Sequence, residues 1–408
     1  MSRTISQSWA RRKEKFQRSW DKVVFNAFLN RATVQNHEDV LRAAEEALEK
    51  RALHESDEAC LNSTDPLVRQ GWQMKRELEV GFRNALKNRT RERIAIHVPD
   101  PDFSPAGYSL FTNLAESLEF IGVSTRILGW TESAGVMLRD FQPTTLITSD
   151  HEAYQAKIDW QEVAIYKRSH RLRVGLTASL EEYGNTPLRG RLDWAARHDV
   201  DFFYSFRDDA YVMARAEYRP FFDSQVPMLY LPFGANILHY YPVAGFERDL
   251  PYVLMATRKS EHATYMKSIA RKYPGFIDGP GWRHVRNFGF NRDRDRYIYA
   301  RAQVGLNVHL PEQIEWACEL NERTYQLAAC GVPQLIDHPK LLDKIFGADT
   351  TFVADDPREY AELFELMQRD PRERERRALL SQALIMRSET TFHRADAFMN
   401  QLSLRFPS

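Results

Sequence analysis

From residue 93 onward, short runs of β-branched and aromatic residues alternate with stretches of helical period, and this alternation constrains the chain more than any other feature. The runs at 94–98 (IAIHV), 124–128, 145–148 (TLIT), 163–165, 173–176 (RVGL), 202–205 (FFYS) and 228–231 (MLYL) are strand candidates. A helical pattern at 109–121 separates the first two, which makes a β-helix-β unit and therefore a parallel, helix-covered sheet. A six-stranded doubly wound domain over 94–240 accounts for the segment. Residues 231–251, LPFGANILHYYPVAGFERDLP, are rich in Pro and Gly and read as a flexible linker. A second series follows, with strands at 252–256, 304–308, 334–336 and 351–353. Helices at 262–272, 321–330, 340–346, 357–368 and 371–388 and a GPGW turn at 279–282 complete it. The expected fold class is α/β: two Rossmann-like domains facing a cleft, the usual place for a ligand, with hinge motion at 232–250 closing it.

The residues before 93 carry no strand signal. Trp9, Phe16, Trp20, Val23, Ala27 and Phe28 recur at helical spacing. A second helix starts near Asn36 and stacks Val40, Leu41, Ala44 and Leu48. A third has Asp65 as N-cap and Pro66 at its first position, ahead of Val68, Trp72, Leu78, Phe82 and Leu86. The expected division is a helical extension at 1–93, an N-terminal domain at 94–240, a C-terminal domain at 241–390 and a tail at 391–408. The extension is expected to pack on the main body or to join two copies of the chain.

Composition narrows the function. Apolar residues make up 43% of the 408 and charged residues 27%, enough to bury a large core. Lys+Arg and Asp+Glu both total 56, so there is no basic excess of the kind that coats nucleic acid. Cys60, Cys318 and Cys330 form no CxxC pair, which fits a reducing compartment. The start MSRTISQSWARRKEKF lacks the apolar segment of a signal peptide. No apolar run approaches the roughly 20 residues that span a bilayer. A cytoplasmic location is therefore expected. HExxH, GxSxG, Walker A and GxGxxG motifs are all missing, which argues against zinc and serine hydrolases, P-loop ATPases and NAD oxidoreductases.

The most informative stretch is 321–337, NERTYQLAACGVPQLID. A helix carries Arg323 near its start and ends at Cys330, and Gly331-Val332-Pro333 turns straight into a strand. The helix N-terminus offers N–H groups to an anion, and Arg323 adds a fork-shaped phosphate donor. An ordinary helix–turn–strand connection with a surface arginine is the competing reading.

From residue 252 to the end the chain resembles the donor-binding half of GT-B glycosyltransferases, in particular the CgeB-like branch of the group 1 glycosyl transferases. The resemblance rests on Asn321, Arg323, Tyr325, the Ala329-Cys330-Gly331-Val332-Pro333 turn, Asp337 and Asp356-Pro357-Arg358-Glu359. The segment 231–242 is similar to the interdomain segment of such enzymes. The likeness implies a nucleotide-diphosphate sugar bound by Asn321, Arg323, Thr324 and Gln326, with Arg258 and Lys259 against the diphosphate. It also sets Gly281 and Trp282 beside the base, Trp282 as stacking platform or as core, and Asn307 and His309 at a strand end. Related retaining enzymes carry an E-x7-E motif, whereas this chain has Cys318 and Gln326 at those positions.

Acid–base groups are expected on the N-terminal domain, at the carboxyl ends of its strands. Asp100 and Asp102 follow the first strand; Asp150, His151 and Glu152 follow a later one. Asp102 or His151 is the candidate base, with turn capping as the competing role for the aspartates. Asp100-Pro101-Asp102 and Asp293-Arg294-Asp295 spell DxD, the metal motif of the GT-A fold, but only helices precede residue 94, so the GT-A reading is set aside. The expected activity is metal-independent and cofactor-free transfer of a sugar from a nucleotide sugar to a glycan or other hydroxyl acceptor. The rival expectations are a non-catalytic GT-B-like binding or scaffold protein and a GT-B-fold sugar-nucleotide epimerase.

Overall fold

The computed structural model describes residues 19–20, 23–24, 37–180, 186–282, 291–347 and 349–407. The expected first helix, at Trp9–Phe28, falls mostly outside them. The chain divides into two compact units, one of residues 1–76 with 237–387 and the other of residues 77–236 with 388–408. Each is built on one parallel sheet.

The six-stranded unit holds β1 (Arg93–Val98), β2 (Ser124–Gly129), β3 (Thr145–Thr148), β4 (Arg173–Thr177), β5 (Phe202–Ser205) and β6 (Met228–Tyr230), in the order β2-β1-β3-β4-β5-β6. Strands β3, β4 and β5 are buried at every position, as continuous apolar runs between two helical layers must be, while the edge strand β2 is largely open. From β1 the chain steps outward to β2 and then returns to the other side of β1 for β3. That reversal makes the carboxyl ends of β1 and β3 the topological switch point, where doubly wound sheets bind ligands.

The expected strand at 163–165 lies inside the helix Trp160–Ser169. Asp159 caps that helix by accepting the N–H groups of Gln161 and Glu162, and Val163 and Tyr166 turn inward at a spacing of one helical turn. Residues 391–408, expected as a tail, contain the helix Thr391–Arg405, which belongs to the six-stranded unit. Phe392 stacks on Phe120 at 4.4 Å, Ser117 donates to Thr391 at 2.7 Å, and the Gln401 side chain exchanges hydrogen bonds with the backbone of Tyr230.

The five-stranded unit holds β7 (Val253–Met255), β8 (Phe276–Asp278), β9 (Gly305–Asn307), β10 (Gln334–Asp337) and β11 (Phe352–Ala354), in the order β11-β10-β9-β7-β8. β8 is a three-residue strand directly after Pro274-Gly275, too short for a period to show in the sequence. Here the switch point lies between β7 and β9.

The described residues 37–76 belong to this unit. Asp65 caps the helix Pro66–Phe82 as expected, accepting the Leu67 N–H at 2.9 Å, and His37 stacks on Phe276 at 4.7 Å. Glu55 accepts Arg296 Nε at 2.9 Å and Nη2 at 2.7 Å, the Tyr241 hydroxyl at 2.9 Å and the Tyr297 hydroxyl. The expected flexible linker is packed. Asn236 donates to Asn113 and Glu116 within the six-stranded unit, and Tyr240, Tyr241, Val243 and Ala244 are buried within the other.

Candidate functional site

Arg323 stands at the switch point of the five-stranded sheet. Its Nη1 donates to the carbonyl of Met255 at the end of β7 (3.3 Å), and its Nη2 to the carbonyl of Val308 just past β9 (3.2 Å). Nε and Nη2 share Asn307 Oδ1 at 3.2 and 3.1 Å. The guanidinium therefore braces two strand ends through neutral oxygens. Among the described residues no carboxylate lies within ion-pair distance of it; burial pulls its pKa down, and Tyr299, Tyr360 and Asp337 pull it back. A partly buried cation with no direct ion-pair partner is a place where an arriving anion is favoured.

A buried polar network holds this arginine. Asn307 donates to Thr324 Oγ1 at 2.7 Å, and Asn321 donates to Asn307 at 2.8 Å. Asn321 also caps the helix Glu322–Ala329, accepting the Thr324 N–H at 3.1 Å. His309 Nδ1 lies 2.6 Å from Asp337 Oδ1 and so carries a proton there, while its Nε2 lies 3.3 Å from Thr324 Oγ1. The Tyr360 hydroxyl links the backbones of Asn307 and Leu335. Asn307, His309 and Thr324 are thus fully buried supports. Asn321, Arg323 and Gln326 are partly exposed.

The turn after β7 brings two further cations to the same edge. Lys259 is exposed, and its N–H donates to His262 Nδ1 at 3.1 Å. Arg258 is half-buried, with its guanidinium 5.5 Å from the Trp282 ring centre. His262 reports the local field: burial, then Arg323, Lys259 and Arg258, push its pKa down to about 3. Trp282 is core, its Nε1 donating to the Ala256 carbonyl at 2.7 Å and its ring stacked on His262, so it offers no platform to a base. Gly281 takes φ +84°, the left-handed conformation that lets this turn close beside Arg258.

At the switch point of the six-stranded sheet, Asp100 accepts the Asp102 N–H at 2.8 Å and thereby forms the turn after β1, which leaves the Asp102 carboxylate exposed. His151 caps a short helix, its Nδ1 accepting the Ala153 N–H at 3.0 Å. A neutral ring so placed carries its proton on Nε2 and has no lone pair left to act as a base. Asp150 is buried in an ion pair with Arg191 and accepts Thr177 Oγ1 at 2.5 Å and Ser179 Oγ at 2.9 Å. Burial pushes its pKa up against the pull of Arg191. Glu152 accepts from Thr186.

Cys318, at the first position of the E-x7-E motif, is buried and offers no acid. Asp293 and Asp295 of the second DxD lie in the first turn of a helix, paired with Arg296 and Arg294. Among the described residues no group of three or more His, Cys, Asp or Glu side chains is placed to hold a metal ion, and no helix is long and apolar enough to cross a membrane. Sequence reasoning did not single out His262 or Tyr360. His262 had a signal in its position three residues after the cap Lys259.

Residues 259–400 match the family model described as glycosyl transferase-like. No curated protein matches the chain in sequence. Among solved structures, the T4 phage BGT in complex with its UDP-glucose substrate aligns over 78% of this chain and 100% of its own, at 10% identity and a TM-score of 0.51. Alr3699/HepE from Anabaena, in complex with UDP and glucose, aligns over 77% and 100% at 12% identity and a TM-score of 0.51. Sucrose-phosphate synthase from Thermosynechococcus elongatus aligns over 77% and 99% at 13% identity and a TM-score of 0.51. Two parallel sheets of this kind, each flanked by helices, are the GT-B fold. The CgeB-like branch is not singled out.

Proposed function

We propose that this chain, a glycosyltransferase of the GT-B type, moves a sugar from a nucleoside-diphosphate sugar to an acceptor hydroxyl and uses its own cations where other enzymes use a metal ion. The observation that carries the reading is Arg323, a partly buried guanidinium in no direct ion pair, set at the switch point of β7 and β9 beside Arg258 and Lys259. Charge gathers on the diphosphate as the sugar–phosphate bond breaks, and fixed cations in a partly desolvated site stabilise it more than water does. Asn307, Thr324 and His309 keep those groups in place before the donor arrives. Asp102 is the acceptor-side base that fits best, because its carboxylate is exposed while Nδ1 of His151 is committed to a helix cap.

UDP-sugars are the donors to try first, since two structurally similar proteins are described with UDP-glucose or with UDP and glucose. The test is calorimetry and thermal melting with UDP, GDP, dTDP, CDP and CMP, with and without EDTA. A ligand at about 100 times its Kd raises stability by about 2.7 kcal/mol. Binding of one nucleotide diphosphate, unchanged by EDTA, is expected; loss of binding in EDTA overturns the metal-independent part, and silence from all five overturns the whole. One observation favours a binding protein instead: most N–H groups of Arg323 are already used within the chain. Incubation with a nucleotide sugar separates the two, because only an enzyme releases the nucleotide.

A further inference from the structure

Aromatic rings collect at the switch point of the six-stranded sheet, the end at which doubly wound sheets bind ligands. Phe103, on the loop after β1, is 48% exposed although large and apolar. It packs against the partly exposed Trp130, just past β2, with ring centres 4.7 Å apart. Lys157 reaches over the Trp130 ring at 5.4 Å. Beneath them lies His97 of β1, wholly buried, its Nδ1 2.9 Å from Thr148 Oγ1 and its ring 6.4 Å from that of Trp130. Two buried nitrogens of this cluster, His97 Nε2 and Trp130 Nε1, have no hydrogen-bond partner in the protein. Trp130 Nε1 is an N–H donor, and His97 Nε2 is donor or acceptor according to the tautomer its contact with Thr148 selects. Buried polar atoms are nearly always satisfied, so two orphans in one cluster beneath an exposed aromatic rim point to a polar ligand.

We infer that Phe103 and Trp130 form a seat for a pyranose ring, and therefore that the acceptor is a carbohydrate; this rests on the proposed sugar transfer. A pyranose has an apolar C–H face, slightly positive, that suits the electron-rich face of an aromatic ring, and a rim of hydroxyls that accept N–H donors. Phe103 takes the face; Trp130 Nε1 and the Lys157 ammonium donate to hydroxyls, and His97 Nε2 exchanges a hydrogen bond with one in whichever direction its tautomer allows. A lipid chain would leave both orphan nitrogens unsatisfied.

The test follows the indole N–H resonances of the full chain, 15N-labelled at tryptophan, with the Trp130 signal assigned by its loss in Trp130→Phe. Methyl α- and β-glycosides of glucose, galactose and mannose are titrated in, and UDP is titrated separately. A saturable shift of the Trp130 signal by at least one glycoside is expected. Phe103→Ala weakens that binding about 2- to 12-fold, and Phe103→Tyr retains it. If no glycoside moves the signal, or if Phe103→Ala leaves the affinity unchanged, the sugar seat is overturned. The same holds if UDP moves the signal and glycosides do not, which would make the cluster a base platform. UDP binding that persists in either case leaves the donor reading standing, whereas its loss from the native chain removes the donor reading itself.

Discussion

Replacing Arg323 with Ala removes a strut and a charge together, and the two effects are separately measurable. Asn307 Oδ1 keeps its bond from Asn321 at 2.8 Å, so the substitution strands only the carbonyls of Met255 and Val308. Their bonds to Arg323 are long, at 3.3 and 3.2 Å, which places each loss near ~1 kcal/mol. Removing a partly desolvated cation that has no direct ion-pair partner offsets part of this. The net cost is about 1–2 kcal/mol, a fall of roughly 2–8 °C in the melting temperature of a unit of this size. Binding responds more strongly. A charge-assisted hydrogen bond to phosphate contributes about 1.5–3 kcal/mol, so affinity for the nucleotide diphosphate drops roughly 10- to 150-fold. Arg323→Lys keeps the charge but not the fork, and it recovers part of the affinity while restoring little of the bracing. Differential scanning fluorimetry and calorimetry on the same samples read both numbers. Unchanged nucleotide affinity beside a lowered melting temperature would refute the anion site and leave Arg323 as a brace between β7 and β9.

Other consequences follow from the same geometry. Asp150→Asn breaks a fully buried pair with Arg191 and costs about 3–5 kcal/mol, whereas Asp102→Asn, on the surface, leaves the melting temperature alone and lowers kcat by about 10²–10⁴ if Asp102 is the base; denaturant melts and turnover separate the two. Burial holds the His97 pKa at about 4, below the ordinary 6.5, so between those values the unfolded chain binds a proton that the folded chain does not. Stability is therefore full above pH 6.5 and declines as pH falls toward 4, by about 3 kcal/mol in total from this group; His97→Gln flattens that part of a melting-temperature–pH curve. Glu55→Ala takes one of two carboxylates from the buried Arg296, which keeps Asp293 at 2.8 Å, and removes an acceptor from Tyr241 and Tyr297; it lowers the stability of the five-stranded unit by about 1–3 kcal/mol in a urea melt.

Much of this was legible in the sequence because parallel sheets announce themselves. Fully buried strands such as Thr145–Thr148 and Phe202–Ser205 are short apolar runs between helices, and ten of the strands match expected runs. Misreadings arose where local pattern was too short to choose. Val163–Ile165 looks like a strand until Tyr166 completes a helical turn, and Phe276–Asp278 gives three residues and no period. The packing of the N-terminal helices on the five-stranded unit depends on Glu55 meeting Arg296, 241 positions away, which no local pattern encodes. The site was half legible. Arg323, Asn321, Arg258 and Lys259, which the motifs pick out, all lie at strand ends of the five-stranded sheet. That Trp282 turns into the core, and that Asn307 and His309 support rather than contact, follows from burial, which appears only once the sheet is assembled.

In the proposed function the donor nucleotide sits on the strand ends of the five-stranded unit. Hydrogen–deuterium exchange of the full chain, with and without saturating nucleotide diphosphate, tests it most directly. Protection is expected at residues 256–262 and 308–326, with the turns of the six-stranded sheet after β1 and β3 unchanged by nucleotide alone. Protection confined to those latter turns, or none anywhere from a nucleotide that binds by calorimetry, would contradict it.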